Sequence, residues 1–253
     1  MKIQLLRNAT LVIKANNQTL LVDPMLAAKG SYNAFPGTPG NQRNPTIDLP
    51  VSQEELAAIV SQTDAVLLTH IHLDHWDTAA QQLVPKHVPI LCQNEDEAAI
   101  KATGFSNVLP VHNEVVWHGI RIIRTNGQHG TGEIGRRMGT VSGYIIDDGK
   151  QVVYIAGDTI WCNDVKDTID KYQPNHIIVN GGAARFLQGD PIVMNIPDII
   201  SVCGYTAGAK IYVAHLEAVN HGTENRAAIA LALHQHNLTN RCFVPNDGDV
   251  FLR

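Results

Sequence analysis

His70-Ile71-His72-Leu73-Asp74-His75 follows directly on the apolar run Ala65-Val66-Leu67-Leu68. The run reads as a buried strand, so the six residues lie where that strand ends. Four of them carry metal-ligating side chains. In extended backbone, residues two apart point the same way, which lets His70 and His72 grip one cation while Asp74 and His75 turn toward a second. Imidazole with carboxylate suits zinc, manganese or iron, and a mixed nitrogen and oxygen shell with an open position serves catalysis rather than bracing. A lone histidine here would read as a solvated loop residue. Three histidines and an aspartate gathered at one strand end do not, because ionisable groups are rarely collected there without a partner.

The six residues match HxHxDH, and in this they resemble the metallo-β-lactamase superfamily. The resemblance implies an α/β fold, a four-layer αββα sandwich with one or two metals at one edge of two facing sheets. It also implies three further ligands along the chain, and each has a counterpart in order. His129 lies in Thr125-Asn126-Gly127-Gln128-His129-Gly130, just past the strand-like Ile120 to Ile123. Asp158 ends Val152-Val153-Tyr154-Ile155-Ala156-Gly157, and His215 ends Lys210-Ile211-Tyr212-Val213-Ala214. The resemblance spans nearly the whole chain, to Pro245-Asn246-Asp247-Gly248. Carried over residue by residue, His70, His72 and His129 resemble a three-histidine site. Asp74, His75 and His215 resemble a second, and Asp158 resembles the bridge between them.

That pattern implies two divalent cations, zinc first with manganese or iron as alternatives, sharing a hydroxide whose pKa falls toward ~7. Asp74 is then the catalytic carboxylate that orients the hydroxide. Gly157 fits a sharp backbone turn into Asp158. Redox members of the superfamily resemble HxExDH and carry a flavin module; this chain has His72 at the third position and no such module, so hydrolysis is expected. His221, in Val219-Asn220-His221-Gly222, rivals His215 as a ligand. The strand-end position favours His215 and leaves His221 beside the site.

Bulk properties narrow the function classes. At 253 residues and 44% apolar content, the chain can bury a full core as one hydrolase domain, 1–253. A net charge of −5 and no basic run give no electrostatic footprint for nucleic acid. Cys92, Cys162, Cys203 and Cys242 are scattered, with no CxxC pair, as expected of small core side chains in a reducing compartment. No leader-like h-region and no stretch of about 20 apolar residues is present, so a cytoplasmic protein without membrane attachment is expected. A homo-oligomer stays open.

Along the chain, Ile3–Leu6, Thr10–Lys14 and Thr19–Val22 read as strands, the last two joined at Asn16-Asn17. Ala27 to Pro50 is a Gly/Pro/Asn-rich loop, and Gly130 to Gly139 carries four glycines and reads as a flexible surface loop. Both are expected at the mouth of the site and more mobile than the sandwich. Ser52-Gln53-Glu54-Glu55 is a capping box opening a helix to about Ser61, and Asp77 caps a short helix from Thr78 to Val84. Strands follow around Val88–Leu91, Asn107–Leu109 and Val115–Arg124, then a hairpin at Val141–Ile146 and Gln151–Ile155. Helices near Val165–Tyr172 and Pro197–Gly204 alternate with strands at His176–Val179 and Ile211–Ala214. Thr223 is expected to cap a final helix to about His236, and Arg241–Val244 to be the last strand. Leu21-Val22-Asp23-Pro24 echoes Ala156-Gly157-Asp158-Thr159, as an internal pseudo-repeat would.

The expected reaction is hydrolysis of a small ester, lactone or phosphoester, with an anionic group as one option. Arg136, Arg137 and Arg185 could then reach that group, and Trp76 and Trp161 could wall the pocket. Asn180-Gly181-Gly182-Ala183-Ala184-Arg185 and Asp247-Gly248 loosely resemble the ascorbate-6-phosphate lactonase-like branch. A phosphodiesterase or nuclease, marked by a basic groove, and a regulatory metal-binding module without turnover are the alternatives.

Overall fold

The computed structural model describes residues 1–206 and 208–253. The chain begins with an antiparallel meander, β1 (Lys2–Arg7), β2 (Thr10–Ala15) and β3 (Gln18–Val22), to which β4 (Ala65–Leu67), β5 (Ile90–Cys92) and β6 (Val108–Pro110) add in parallel. A second sheet repeats the plan. Strands β7 (Glu114–Trp117), β8 (Ile120–Asn126), β9 (Ser142–Asp147) and β10 (Val152–Ile155) are antiparallel, and β11 (His176–Asn180), β12 (Lys210–Ala214) and β13 (Cys242–Phe243) join in parallel. A last strand, β14 (Val250–Leu252), returns to pair with β1, giving two seven-stranded sheets.

Period-two alternation sorts the strand side chains into layers. Leu20 and Val22 face a core shared by both sheets with Ile122, Ile146, Ile155, Ile178 and Tyr212. Leu21, one residue out of phase, faces the opposite way with Leu6, Val66 and Ile90. That outer face is covered by α1 (Gln53–Ser61), α2 (Thr78–Leu83) and α3 (Glu97–Ala102) through Leu56, Val60, Ala80 and Ile100. The outer face of the second sheet, with Ile177, Val179, Ile211 and Val213, takes Val165 and Ile169 of α5 (Asn163–Tyr172), Ile199 and Val202 of α6 (Ile196–Tyr205), and Ile229 and Leu233 of α7 (Arg226–Gln235). Helix, sheet, sheet, helix is the four-layer sandwich that the sequence implies, and the capping box of Ser52 and the Asp77 cap are both present.

Three local expectations need correction, and one helical stretch has no counterpart in the sequence reading. Gly132–Met138 is a helix, α4, despite its glycines. Ile134 and Met138, four apart on one face, pack on Ala184, Ile192 and Val193, so tertiary contact overrides poor propensity. The helix near the C-terminus starts at Arg226, capped by Asn225; the Thr223 hydroxyl instead donates to the Ala183 carbonyl. Asn94–Ala102 is helical, and its single buried aliphatic residue, Ile100, gives no periodicity to read. Finally, Arg241–Val244 is followed by β14, whose three residues are too short for a pattern.

The 27–50 segment is stapled down. The fully buried Arg7 guanidinium donates to the carbonyls of Met25, Ala27 and Ile47 at 2.7–3.0 Å. Asn220 Oδ1 accepts from Phe35 N and Asn44 Nδ2, its Nδ2 donates to Thr38 Oγ1 and the Pro39 carbonyl, and its own amide donates to Asn44 Oδ1. These bonds bring residues 35–40 against the loop that carries His221. Asn220→Ala leaves several of these groups unpaired, and a loss of about 2–3 kcal/mol is expected. Urea unfolding together with amide exchange over residues 32–44 checks this; unchanged stability and exchange would show that the staple carries no weight.

Candidate metal centre

All seven sequence-derived ligand candidates converge at one edge of the sandwich. Potential donor atoms of His70, His72 and His129 lie within 4.8 Å of one another, and those of Asp74, His75, Asp158 and His215 form a second such group. Six of the seven are buried; His72 is half-buried. Each arrives from the end of a strand: His70 just after β4, His129 after β8, Asp158 after β10 and His215 after β12.

Asp158 holds the two groups together. Its Oδ2 lies 3.2 Å from His75 Nε2, 3.6 Å from His129 Nε2 and 3.7 Å from His215 Nε2, while Oδ1 accepts from Asn180 Nδ2 at 2.7 Å. The amide of Asn180 thus fixes the carboxylate and leaves one oxygen among histidines of both groups. The far nitrogens of three imidazoles are similarly held. His70 Nδ1 meets Thr69 Oγ1 at 3.1 Å, His129 Nδ1 donates to the Ile192 carbonyl at 2.7 Å, and His75 Nδ1 donates to Asp23 Oδ2 at 2.9 Å. Asp23 also accepts from the Thr69 amide and hydroxyl. Partners of this kind set tautomer and ring orientation and aim Nε2 into the cluster.

The backbone is bent to this purpose. His215 has a left-handed φ of 65°, which costs on the order of 1–3 kcal/mol unless its surroundings impose it. Its amide donates to the Asn8 carbonyl, and Asn8 Nδ2 donates to the Asp74 carbonyl, so one residue of the first hairpin clamps both segments.

Burial works against every charge in the site. It pushes His70 well below its usual value and His129 down to about 4, leaving both imidazoles neutral. Burial also opposes ionisation of Asp158, but His75 and His215 outweigh it and hold the carboxylate well below the usual range; Asp74 is likewise lowered against burial. Conversely, His75 and His215 are raised, because Asp158 and Asp74 outweigh desolvation. Protons on these two rings therefore supply the positive charge that two buried carboxylates require. His75 Nε2 has no hydrogen-bond partner despite lying 3.2 Å from Asp158 Oδ2. His70 Nε2 and His72 Nδ1 sit only 2.9 Å apart. Orphaned, converging ring nitrogens beside paired carboxylates fit divalent cations better than protons.

A cavity of about 270 Å³ opens on the cluster, lined by His72, Asp74, His129 and Asp158. Its other walls are mainly apolar and include Phe35, Leu73, Met138, Phe186 and Ile192, with Arg137 and His221 as polar members. Both mouth loops of the sequence reading contribute, through Phe35 and Arg137. His221 is buried, packs edge-on against Phe35 at 5.0 Å and stands outside both ligand groups. Of the aromatic candidates, Trp76 is a core residue against Phe105, and Trp161 packs on Tyr205; neither lines the cavity. Arg136 pairs with Glu133, and Arg185 donates to the Gly189 carbonyl, which leaves Arg137 as the arginine at the cavity.

Asn8 and Thr69, which carry no sequence signal, and Asn180, legible only as part of a loosely matched loop, touch the ligand segments from behind. Asp23 was visible only through its echo of Asp158. Gly157 is required where it stands: φ is 69°, and an added Cβ would lie 2.5 Å from the Ser142 carbonyl oxygen. Gly157→Ala is expected to cost about 2–3 kcal/mol in denaturant unfolding. A change below about 0.5 kcal/mol would mean that the turn into Asp158 tolerates a side chain.

Comparison with known proteins agrees with this geometry. The β-lactamase superfamily domain matches residues 19–216. The UPF0173 protein YddR of Bacillus subtilis is 39% identical over 255 residues, 99% of each chain. A possible metal-dependent hydrolase from Veillonella parvula superposes with a TM-score of 0.95 at 34% identity, covering 100% of this chain and 99% of the other. An isothiocyanate hydrolase from Delia radicum gut bacteria does so with a TM-score of 0.93 at 35% identity and the same coverage. Among the described residues no helix is long and apolar enough to cross a membrane. The chain belongs to the β-lactamase superfamily, as one of its metal-dependent hydrolases.

Proposed function

We propose that this chain hydrolyses small neutral electrophiles, isothiocyanates foremost, at a two-cation centre. The lining of the cavity carries the reading: mainly apolar walls around the ligand cluster, with Thr38, Arg137 and His221 as polar members, suit an apolar molecule with one reactive carbon. The isothiocyanate hydrolase that resembles this chain over its full length supports the choice of class. His70, His72 and His129 would hold one cation, Asp74, His75 and His215 the other, and Asp158, whose Oδ2 lies near histidines of both groups, would serve both. Bound cations, zinc being the ion this donor set suits best with manganese or iron as alternatives, would supply a water of lowered pKa and an electrophilic contact for the substrate heteroatom.

The residues do the rest. Asp74 lines the cavity as well as the cluster and orients the attacking water, receiving its proton. Water oxygen bonds to the central carbon of R–N=C=S as the proton received by Asp74 passes on to nitrogen; the thiocarbamic acid then breaks its C–N bond as its remaining acidic proton moves to nitrogen, releasing R–NH2 and carbonyl sulfide. Phe35, Leu73 and Ile192 keep bulk water from competing. Arg137 favours a second reading, an ester, lactone or phosphoester with one negative charge, since it is the cation at the cavity wall. A single arginine and a net charge of −5 give little purchase for nucleic acid. The residues that loosely resemble the ascorbate-6-phosphate lactonase-like branch serve structure: Asn180 braces Asp158, and Asp247 pairs with Arg226.

Turnover of isothiocyanates, lactones, phosphodiesters and thioesters by metal-loaded protein tests the class. Isothiocyanate loss that chelator abolishes is expected; turnover of the others alone would overturn the reading. Asp158→Asn keeps the shape but removes the bridging charge. It should lower metal content from two per chain and turnover on the order of 10²-fold or more, and because it also removes the buried partner of His75 and His215, the melting temperature of the metal-free protein is expected to fall. Full metal stoichiometry with near-normal turnover in the mutant would refute the bridge.

A further inference from the structure

The reaction cavity does not end at its rim. A second hollow of about 360 Å³ lies immediately outside it, and the two share Pro36, Arg137 and Phe186 as common walls. Beyond these, the outer hollow is lined by Gly37, Ile134 and Leu187. Leu187 is 70% exposed, the most exposed large apolar side chain among the described residues. Its position is held: the Leu187 amide donates to the Gly37 carbonyl at 2.9 Å, which ties the two rims of the hollow to one another. Ile134 reaches the wall from α4 because Gly189 opposite has no side chain; a Cβ there would collide with the Ile134 Cδ1. Between the hollows, the Arg137 guanidinium lies 5.3 Å from the Phe186 ring centroid, a cation–π contact that presents the aromatic face and the aliphatic stem of Arg137 to the passage.

We infer that the outer hollow is the subsite for the substituent R of the substrate, and that R is an extended apolar group, alkyl or aralkyl. This rests on the reading that hydrolysis occurs in the inner cavity. An inner cavity of about 270 Å³ holds the reactive group, its attacking water and a compact R, and a longer R must pass out of it. The adjoining hollow continues outward from it, its walls mainly apolar apart from Arg137 and Gln188, and its most exposed large apolar side chain is Leu187. Burying R there removes both R and Leu187 from water, so binding strengthens with each methylene until the hollow is filled. Polar substituents meet only Arg137 and Gln188 there.

Alkyl hydroxamates from acetyl to decanoyl, titrated calorimetrically into zinc-loaded protein, test the subsite without relying on turnover. The hydroxamate head occupies the ligand cluster and the tail reports on what lies beyond it. Affinity is expected to rise about fourfold per methylene over part of the series, then level off. Leu187→Asp, at an exposed position that does not threaten folding, should flatten that rise while leaving acetohydroxamate binding unchanged. A flat series in the wild type, or a rise that survives Leu187→Asp at full slope, would overturn the assignment. The isothiocyanate reading fails separately, in the substrate panel; hydroxamate binding with a length-dependent tail but no isothiocyanate turnover would leave the subsite standing and change only the reactive group.

Discussion

Asp158 lies with Asp74 among five buried or half-buried imidazoles, and two carboxylates at such depth must find positive charge within a few ångströms. Protons on His75 and His215 supply it in the protein by itself, and divalent cations are the stronger supply. Much of the surrounding architecture answers to that demand. Asn180 fixes one Asp158 oxygen so that the other faces the histidines, Asp23 holds His75, and Asn8 clamps the Asp74 and His215 segments together. Several of these devices place a polar group in the interior, where only complete pairing makes it tolerable.

The two halves of the chain answer in parallel. In each sheet an antiparallel meander turns parallel at one strand, β3 in the first and β10 in the second, and an aspartate stands just past that strand's end. Asp23 stands one residue past β3 and Asp158 three past β10, so the echo between Leu21-Val22-Asp23-Pro24 and Ala156-Gly157-Asp158-Thr159 is one of topology and not of register. Their work has diverged. Asp158 stands among the ligands with Oδ2 toward the histidines, whereas Asp23, with a φ of 41°, faces the back of His75 and the Thr69 amide and hydroxyl. The segment after the corresponding strand thus provides a carboxylate inside the cluster in one half and its support in the other.

What could be read in advance follows the range of the interactions. Leu20, Leu21 and Val22 alternate because the pleat alternates, and His70 and His72 sit together because residues two apart do; both are local and visible in sequence. His129, Asp158 and His215 are legible through the HxHxDH resemblance, which directs attention to the ends of later strands. Thr223, by contrast, looks like a cap but bonds Ala183, forty residues away, and α4 exists because Ile134 and Met138 find Ile192 and Val193. Trp76 beside the motif reads equally as pocket wall or core until Phe105 is seen against it. Contacts of this kind carry no signature in the residues that make them.

The same distinction explains why the chemistry was more legible than the substrate. The ligand cluster hangs on strand ends, and its spacing is dictated by the sheets. The cavity walls come from four separate stretches, around Phe35, Met138, Phe186–Ile192 and His221, none of which is a regular strand. Their mutual placement depends on long-range staples such as Asn220 to Asn44 and Leu187 to Gly37. Substitutions in these stretches can reshape the space above the cluster without disturbing a single ligand, so relatives with the same seven residues are free to differ in what they hydrolyse. Conversely, the staples cannot be loosened without consequence, because residues 35–40 and the His221 loop each form a wall for the other. Substrate choice in this fold is therefore a property of how the walls are pinned as much as of which side chains they present.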